Sequence, residues 1–241
     1  MLEAGLWGLG AASALVVGAL VGLSAKVPRR LVALAMAFGT GALISALAFD
    51  LTEDAFAHGG TLPVAGGLAA GALVFFAGNQ MLHRRGAARR GKRMAKAADN
   101  GPAIVLGAML DGIPESVVLG TTLLGGAGIG VPFLAAVFMS NIPEALSAAA
   151  DLRREGHEPT WIIGLWVGVA LISGLAAALG YALLGGMGES AVPLIQAFAA
   201  GAILTMLSDT MIPEAFSDGG DLTGLATVFG FATAFLLSTV S

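Results

Sequence analysis

Long apolar runs recur from one end of this 241-residue chain to the other, and charges rarely interrupt them. A helix needs roughly 20 such residues to cross a bilayer. Charged residues make up 12% of the chain and hydrophobic ones 56%. An average soluble domain carries about 25% charged residues, so this chain could not cover a water-facing surface. The expectation is an all-α polytopic membrane protein, a single transmembrane domain over 1–241. The 36 glycines, with abundant alanine, let membrane helices approach closely and point to a tightly packed bundle. The absence of cysteine excludes disulfides and thiolate metal ligands. The first apolar run starts almost at Met1, without a basic stretch before it or a clear cleavage site after it. It reads as a retained span rather than a signal peptide.

Eight spans are expected, at about 4–25, 31–57, 62–82, 101–124, 128–150, 160–184, 191–215 and 221–240. The basic residues orient them. Lys26, Arg29 and Arg30 lie in the first connection. Arg84, Arg85, Arg89, Arg90, Lys92, Arg93 and Lys96 lie in the third, and Arg153 and Arg154 in the fifth. These are all 12 Lys and Arg residues of the chain, and odd-numbered connections share one membrane face. The positive-inside rule makes that face cytoplasmic and puts both termini outside the cytoplasm. A multi-pass protein of the cell membrane is expected. The connection 83–100 is a basic cytoplasmic loop, read as a topology anchor that contacts anionic lipid.

Two distant segments align without a gap. Residues 37–60 read AFGTGALISALAFDLTEDAFAHGG and residues 197–220 read AFAAGAILTMLSDTMIPEAFSDGG, with about nine positions identical. They lie in spans two and seven, which cross the membrane in opposite directions. Gly5-Leu6-Trp7 likewise opens span one and Gly164-Leu165-Trp166 opens span six. Spans 1–3 and 6–8 therefore read as an inverted repeat around a central pair, a 3+2+3 arrangement. Inverted repeats are common in secondary transporters, whose substrates bind near the midplane on interrupted helices.

Acids inside the spans carry the chemistry. An ionisable side chain at the bilayer centre is costly and marks a functional site by default. Span four contains Leu110-Asp111-Gly112-Ile113-Pro114-Glu115-Ser116, and span five contains Met139-Ser140-Asn141-Ile142-Pro143-Glu144-Ala145. Asp111 and Glu115 are one helical turn apart, as are Ser140 and Glu144. No Lys or Arg lies in a span interior to neutralise the acids, so a bound metal or a proton is the remaining partner. Pro114 and Pro143 free the carbonyls of Leu110 and Met139 beside the acids, which suits a hard cation. Asp209, ahead of Ile212-Pro213-Glu214 in span seven, and Asp50 in span two read as pathway residues. Asp50 and Asp54, four apart, could form an entrance site. Glu53, Asp54, Glu214 and Asp218 also suit ordinary charges at helix ends.

Pro-Glu steps in the fourth and fifth of eight spans, external termini and a long basic loop after span three resemble the ZIP family of divalent-metal transporters. That family's span-four pattern, His-Asn-x-Pro-Glu-Gly, is matched at Pro114 and Glu115, with Asp111, Gly112 and Ser116 at its other positions. Ser140, Asn141, Pro143 and Glu144 fill the span-five frame. Ser173-Gly174 keep the start of the span-six pattern, Ser-Gly-x-x-Glu-Pro, but Ala177 and Ala178 follow where it has Glu-Pro. The resemblance implies a metal site between spans four and five. A second metal would need ligands at the positions of Gly112, Asn141 and Ala177, two of which have none.

The expected function is transport of a divalent cation through a single site of Asp111, Glu115, Ser140 and Glu144, helped by Asn141. These donors are all oxygen, and oxygen favours hard or borderline cations such as Mn, Mg, Fe or Zn, the family's zinc preference being in doubt. The metal is cargo, and no cofactor is expected. The partners expected are the metal ion, membrane lipid and a second copy of the chain in a homodimer; nucleic acid is not among them. Two rivals stay open: a proton- or sodium-coupled carrier of another solute, and a non-transporting relative of the family. An intramembrane aspartyl protease would need two carboxylates facing across a wet site. No Gly-x-Gly-Asp element supports it, and an enzyme is not expected.

Overall fold

The computed structural model describes residues 1–92, 101–125, 130–187 and 191–240, with the side chains of 82–92, 101–106, 110, 111 and 125 also left outside the description. Every element among the described residues is helical. Helix α1 spans Leu2–Ser24 and α2 spans Arg29–Ala46. A π-helical turn, Leu47–Thr52, joins α2 to α3, Glu53–Gly59. Then follow α4 (Thr61–Lys92), α5 (Gly101–Thr122), α6 (Val131–Arg154) and α7 (Pro159–Leu184). Helix α8 (Ala191–Met206) passes through a second π turn, Leu207–Met211, into α9 (Ile212–Gly219), and α10 (Thr223–Val240) closes the chain.

Prolines and glycines set the boundaries. Pro28, at φ −59°, caps the start of α2, and Pro132 and Pro159 stand in the first turns of α6 and α7. A proline there removes only an N–H that has no helical acceptor anyway. Gly60 (φ 73°, ψ −176°) ends α3 and Gly220 (φ 64°, ψ −145°) ends α9. Only glycine adopts that backbone region readily. Helix α4 continues to Lys92, past the expected start of the connection at His83; Arg93, Lys96 and the rest of that connection up to 100 lie outside the described residues.

Six stretches among the described residues are long and apolar enough to cross a membrane. The last, Ala191–Val240, is 50 residues long and takes in both of the final expected spans. The outward-facing side chains agree: Leu73, Leu225 and Phe229 are 67%, 69% and 69% exposed, which water would penalise and lipid would not.

The helices pack mainly in two groups. Helix α1 lies against α6 and α7, and α5 lies against α7; Trp166, Ile162, Leu152 and Leu15 fill that core. In the other group α4 lies on α8 and α10 on α2. Contacts of α2 with α6 and of α5 with α8 join the groups, around Leu43, Leu47, Leu119, Phe133, Ile203 and Leu207. Gly41 of α2 faces the carbonyl of Thr227 in α10, and Gly201 of α8 faces that of Leu68 in α4, so closely that no Cβ fits at either. Backbones in such contact gain dispersion energy along the whole crossing, which drives helix association in lipid.

The two π turns occupy the same register of the repeated segments. Leu47 aligns with Leu207, and Gly60 with Gly220. Pro213 accounts for part of the interruption in the second copy, because it cannot donate a helical hydrogen bond. The aligned position in the first copy is Glu53, which can donate, so the turn does not depend on proline. Leu47, Leu51, Leu207 and Met211 are buried in both turns alike.

Candidate functional site

Helices α5 and α6 carry the two Pro-Glu steps. Both run through their prolines, α5 past Pro114 and α6 past Pro143. Each proline lacks an N–H, so the carbonyl four residues earlier loses its helical donor. The next residue in each helix is an acid. Glu115 is 3% exposed and Glu144 is half-buried, and neither carboxylate is without a partner. Ser140 and Asn141 are both buried one turn before Glu144. Ser140 Oγ donates to Val137 O at 3.0 Å, which leaves its lone pairs available to a cation. Gly39 sets the α2 backbone against Ser140 and so closes α2 over this part of α6. Ser116 Oγ donates to Gly112 O at 2.6 Å.

Asp111 has its backbone in α5, but its side chain lies outside the described residues. Among the described residues no three His, Cys, Asp or Glu side chains are grouped so as to hold a metal ion. The position where the ZIP pattern has a further acid is closed: Ala177 is fully buried, with Gly8 of α1 against its methyl and Gly120 of α5 against its carbonyl.

The acids of span two address different helices. Ser238 Oγ of α10 donates to Asp50 Oδ1 at 2.8 Å. Gln196 Nε2 of α8 donates to Asp54 Oδ2 at 3.1 Å, and His58 Nδ1 lies 3.2 Å from Asp54 Oδ1. The shared face expected of residues four apart belongs to an α-helix; here Asp50 lies in the π turn and Asp54 in α3, and their carboxylates accept from α10 and α8. Asp209 sits in the second π turn and is exposed on the outside of the bundle.

A second polar cluster joins α2, α6 and α9. Arg29 Nη2 lies 3.8 Å from Asp151 Oδ1, and Arg154 Nη1 donates to the same oxygen at 2.5 Å. Ser147 Oγ donates to Glu214 Oε1 at 3.2 Å. These groups line a cavity of about 100 Å³. Arg29 and Arg154 come from the first and fifth connections, so those two connections lie at the same end of the bundle. Sequence reasoning missed Gln196, Ser147 and Ser238. The signal for the first was available: Gln196 is a lone amide in an otherwise apolar run.

Fold and site together define an all-helical protein whose apolar stretches suit a membrane and whose interior holds carboxylates. The chain matches no known family model, and no curated protein matches it.

Proposed function

We propose that this protein carries a divalent metal cation across the cell membrane, in the manner of the ZIP transporters it resembles, through a site between α5 and α6. One observation carries the reading. Glu115 is a carboxylate 3% exposed, one residue after a proline, in the apolar helix α5. Such a group costs several kcal/mol in a bilayer unless a cation or proton accompanies it. Asp111, Glu115, Ser140 and Glu144 would bind the ion, with Asn141 assisting, and Asp50 and Asp209 would lie along its path. The all-oxygen donor set favours Mn²⁺ or Mg²⁺ over Zn²⁺. The buried methyl of Ala177 supports one site rather than two.

The same reading includes eight spans in a 3+2+3 inverted repeat, with both termini outside the cytoplasm. The helix contacts support it, because they come in matched pairs. The pairing α1–α6 has its counterpart in α7–α5, α2–α10 in α8–α4, and α2–α6 in α8–α5. Since α5 and α6 pack on α7 and α1, those four helices would move together as the site changes sides. Protons compete for the same oxygens, so uptake weakens as pH falls.

A second reading, a proton- or sodium-coupled carrier of another solute, is favoured by the hydrogen bond that ties Asp50 to Ser238 of α10. Uptake of Mn²⁺ into liposomes containing the purified protein tests the proposal. Glu115→Ala combined with Glu144→Ala should reduce uptake at least about tenfold, the loss that about 1.4 kcal/mol of binding represents. Unchanged uptake would overturn the proposal, and absence of saturable divalent binding would favour the second reading.

A further inference from the structure

Helices α2 and α6 touch at two levels. Gly39 meets the backbone of Ser140 with no space for a Cβ. Nearer the start of α2, Arg29 Nη2 lies 3.8 Å from Asp151 Oδ1, which is beyond Ser140 on α6. The order is opposite in the two helices, so they run antiparallel there. The two levels are about 15 Å apart along α2, at the rise of an α-helix. The cavity of about 100 Å³ lies between them. Val32, Ala33 and Met36 of α2 and Leu146, Ser147 and Ala150 of α6 line it, and all six stand between the two contacts in sequence.

The ion pair stands at the water end of this space. The side chains of Arg29 and Asp151 are 65% and 51% exposed, whereas Ala33, one turn inward from Arg29, is 4% exposed. Arg154 Nη1 donates to the same Asp151 oxygen from within α6 and steadies the carboxylate at the mouth. Ser147 Oγ donates to Glu214 Oε1 of α9, a second tie from α6 to its neighbours.

Both ties cross between the two packing groups. Helix α6 belongs with α1, α5 and α7, while α2 belongs with α10, and α9 lies against α2. At the other end of α2, Gln196 ties α8 to Asp54 of α3, and Ser238 ties α10 to Asp50 of the π turn. Those bonds lie within the second group and do not oppose its sliding on the first. The bonds at the Arg29 end do. An exposed ion pair adds little to stability, which suits a contact that has to break and re-form.

We propose that Arg29 and Asp151, steadied by Arg154, form a latch that keeps this end of the α2–α6 interface closed over a vestibule leading to Ser140. As a gate the latch rests on the transport reading above; as a closure it rests on the contacts alone.

The chain has no cysteine, so one introduced thiol reports by itself. Ala33→Cys in the purified full chain, treated with iodoacetamide in detergent, should react slowly beside Thr160→Cys, which is exposed at the same end. Equal rates would mean that the mouth already stands open, and would overturn the latch. Arg29→Ala and Asp151→Ala should each speed alkylation at position 33 at least about fivefold, the change that about 1 kcal/mol represents. Using both variants separates opening from charge. The thiolate is the reacting form, favoured by a nearby cation and disfavoured by a nearby carboxylate. Charge alone would slow the reaction in Arg29→Ala and speed it in Asp151→Ala, whereas release of a latch speeds both. Opposite changes, or no change in either, overturn the proposal. Ala55→Cys, fully buried at the opposite end, should keep its rate in both backgrounds; a parallel rise there would mean general loosening and overturn it too. Arg29→Gln and Asp151→Asn replace any alanine variant that fails to fold. Alkylation needs no cargo. A chain that moves no Mn²⁺ therefore still tests the latch, and a working transporter with unchanged rates would lose the latch and keep the transport reading.

Discussion

Gln196 Nε2 donates to Asp54 Oδ2 at 3.1 Å, a bond between residues 142 apart in sequence that ties α8 to α3. The amide is 5% exposed and the carboxylate is half in solvent. Gln196→Ala should therefore lower stability by about 1.5 kcal/mol, the low end for a charged acceptor, since water can reach the freed oxygen. Gln196→Glu should cost more at neutral pH, because it sets two carboxylates together, and acidification should recover part of the loss. Thermal unfolding of both variants across pH measures this. A glutamate variant as stable as wild type at every pH would mean that the bond does not form.

Gly60 and Gly220 end their helices with positive φ and with ψ near the extended range. That combination is closed to every residue with a Cβ, including the asparagine that often replaces glycine in the left-handed helical region. Replacing either glycine by alanine should cost about 1–3 kcal/mol, and asparagine should give no relief. Comparing the unfolding temperatures of the Ala and Asn variants at each position checks the claim.

Close backbone approach makes a different demand. At Gly41 and Gly201 an added Cβ would collide with the carbonyl of a neighbouring helix, whereas at Gly164 and Gly168 it would meet open space. Gly41→Val and Gly201→Val should therefore push α2 from α10 and α8 from α4, at a cost of about 1–3 kcal/mol or more. Gly164→Ala and Gly168→Ala should be neutral. Size-exclusion profiles of the four variants in detergent distinguish the two classes.

Ala177 gives a fourth test. If only a ligand were missing, Ala177→Glu would add a second cation to the site. The packing around its methyl leaves no room, so the variant should lose monodisperse protein without gaining metal. Binding of one additional Mn²⁺ by a well-folded Ala177→Glu would overturn this reading of the packing.

The helical stretches were legible because a bilayer imposes a length. Apolar runs near twenty residues, ended by Pro28, Gly60, Pro159 and Gly220, leave little choice of boundary. The pairing of helices was not legible: the contacts of Gly41 with Thr227 and Gly201 with Leu68 depend on backbones separated by long stretches of chain. The site was legible to the extent that its atoms belong to one helix. Glu115 after Pro114, and Glu144 after Pro143, could be read from spacing alone. The orientation of Asp50 could not, because no residue pattern marks a π turn where Glu53 stands in place of proline. A rule of α-helical spacing then sets Asp50 beside Asp54, whereas the fold turns it to Ser238.

A π turn holds one residue more than the α-helical stretch it interrupts. The turns at Leu47–Thr52 and Leu207–Met211 add that residue at the same register of two aligned segments. What fills the turns differs: Asp50 of the first aligns with Thr210 of the second, whose own acid, Asp209, stands one position earlier. Each break in the helical ladder thus carries one carboxylate, shifted by one position between the two.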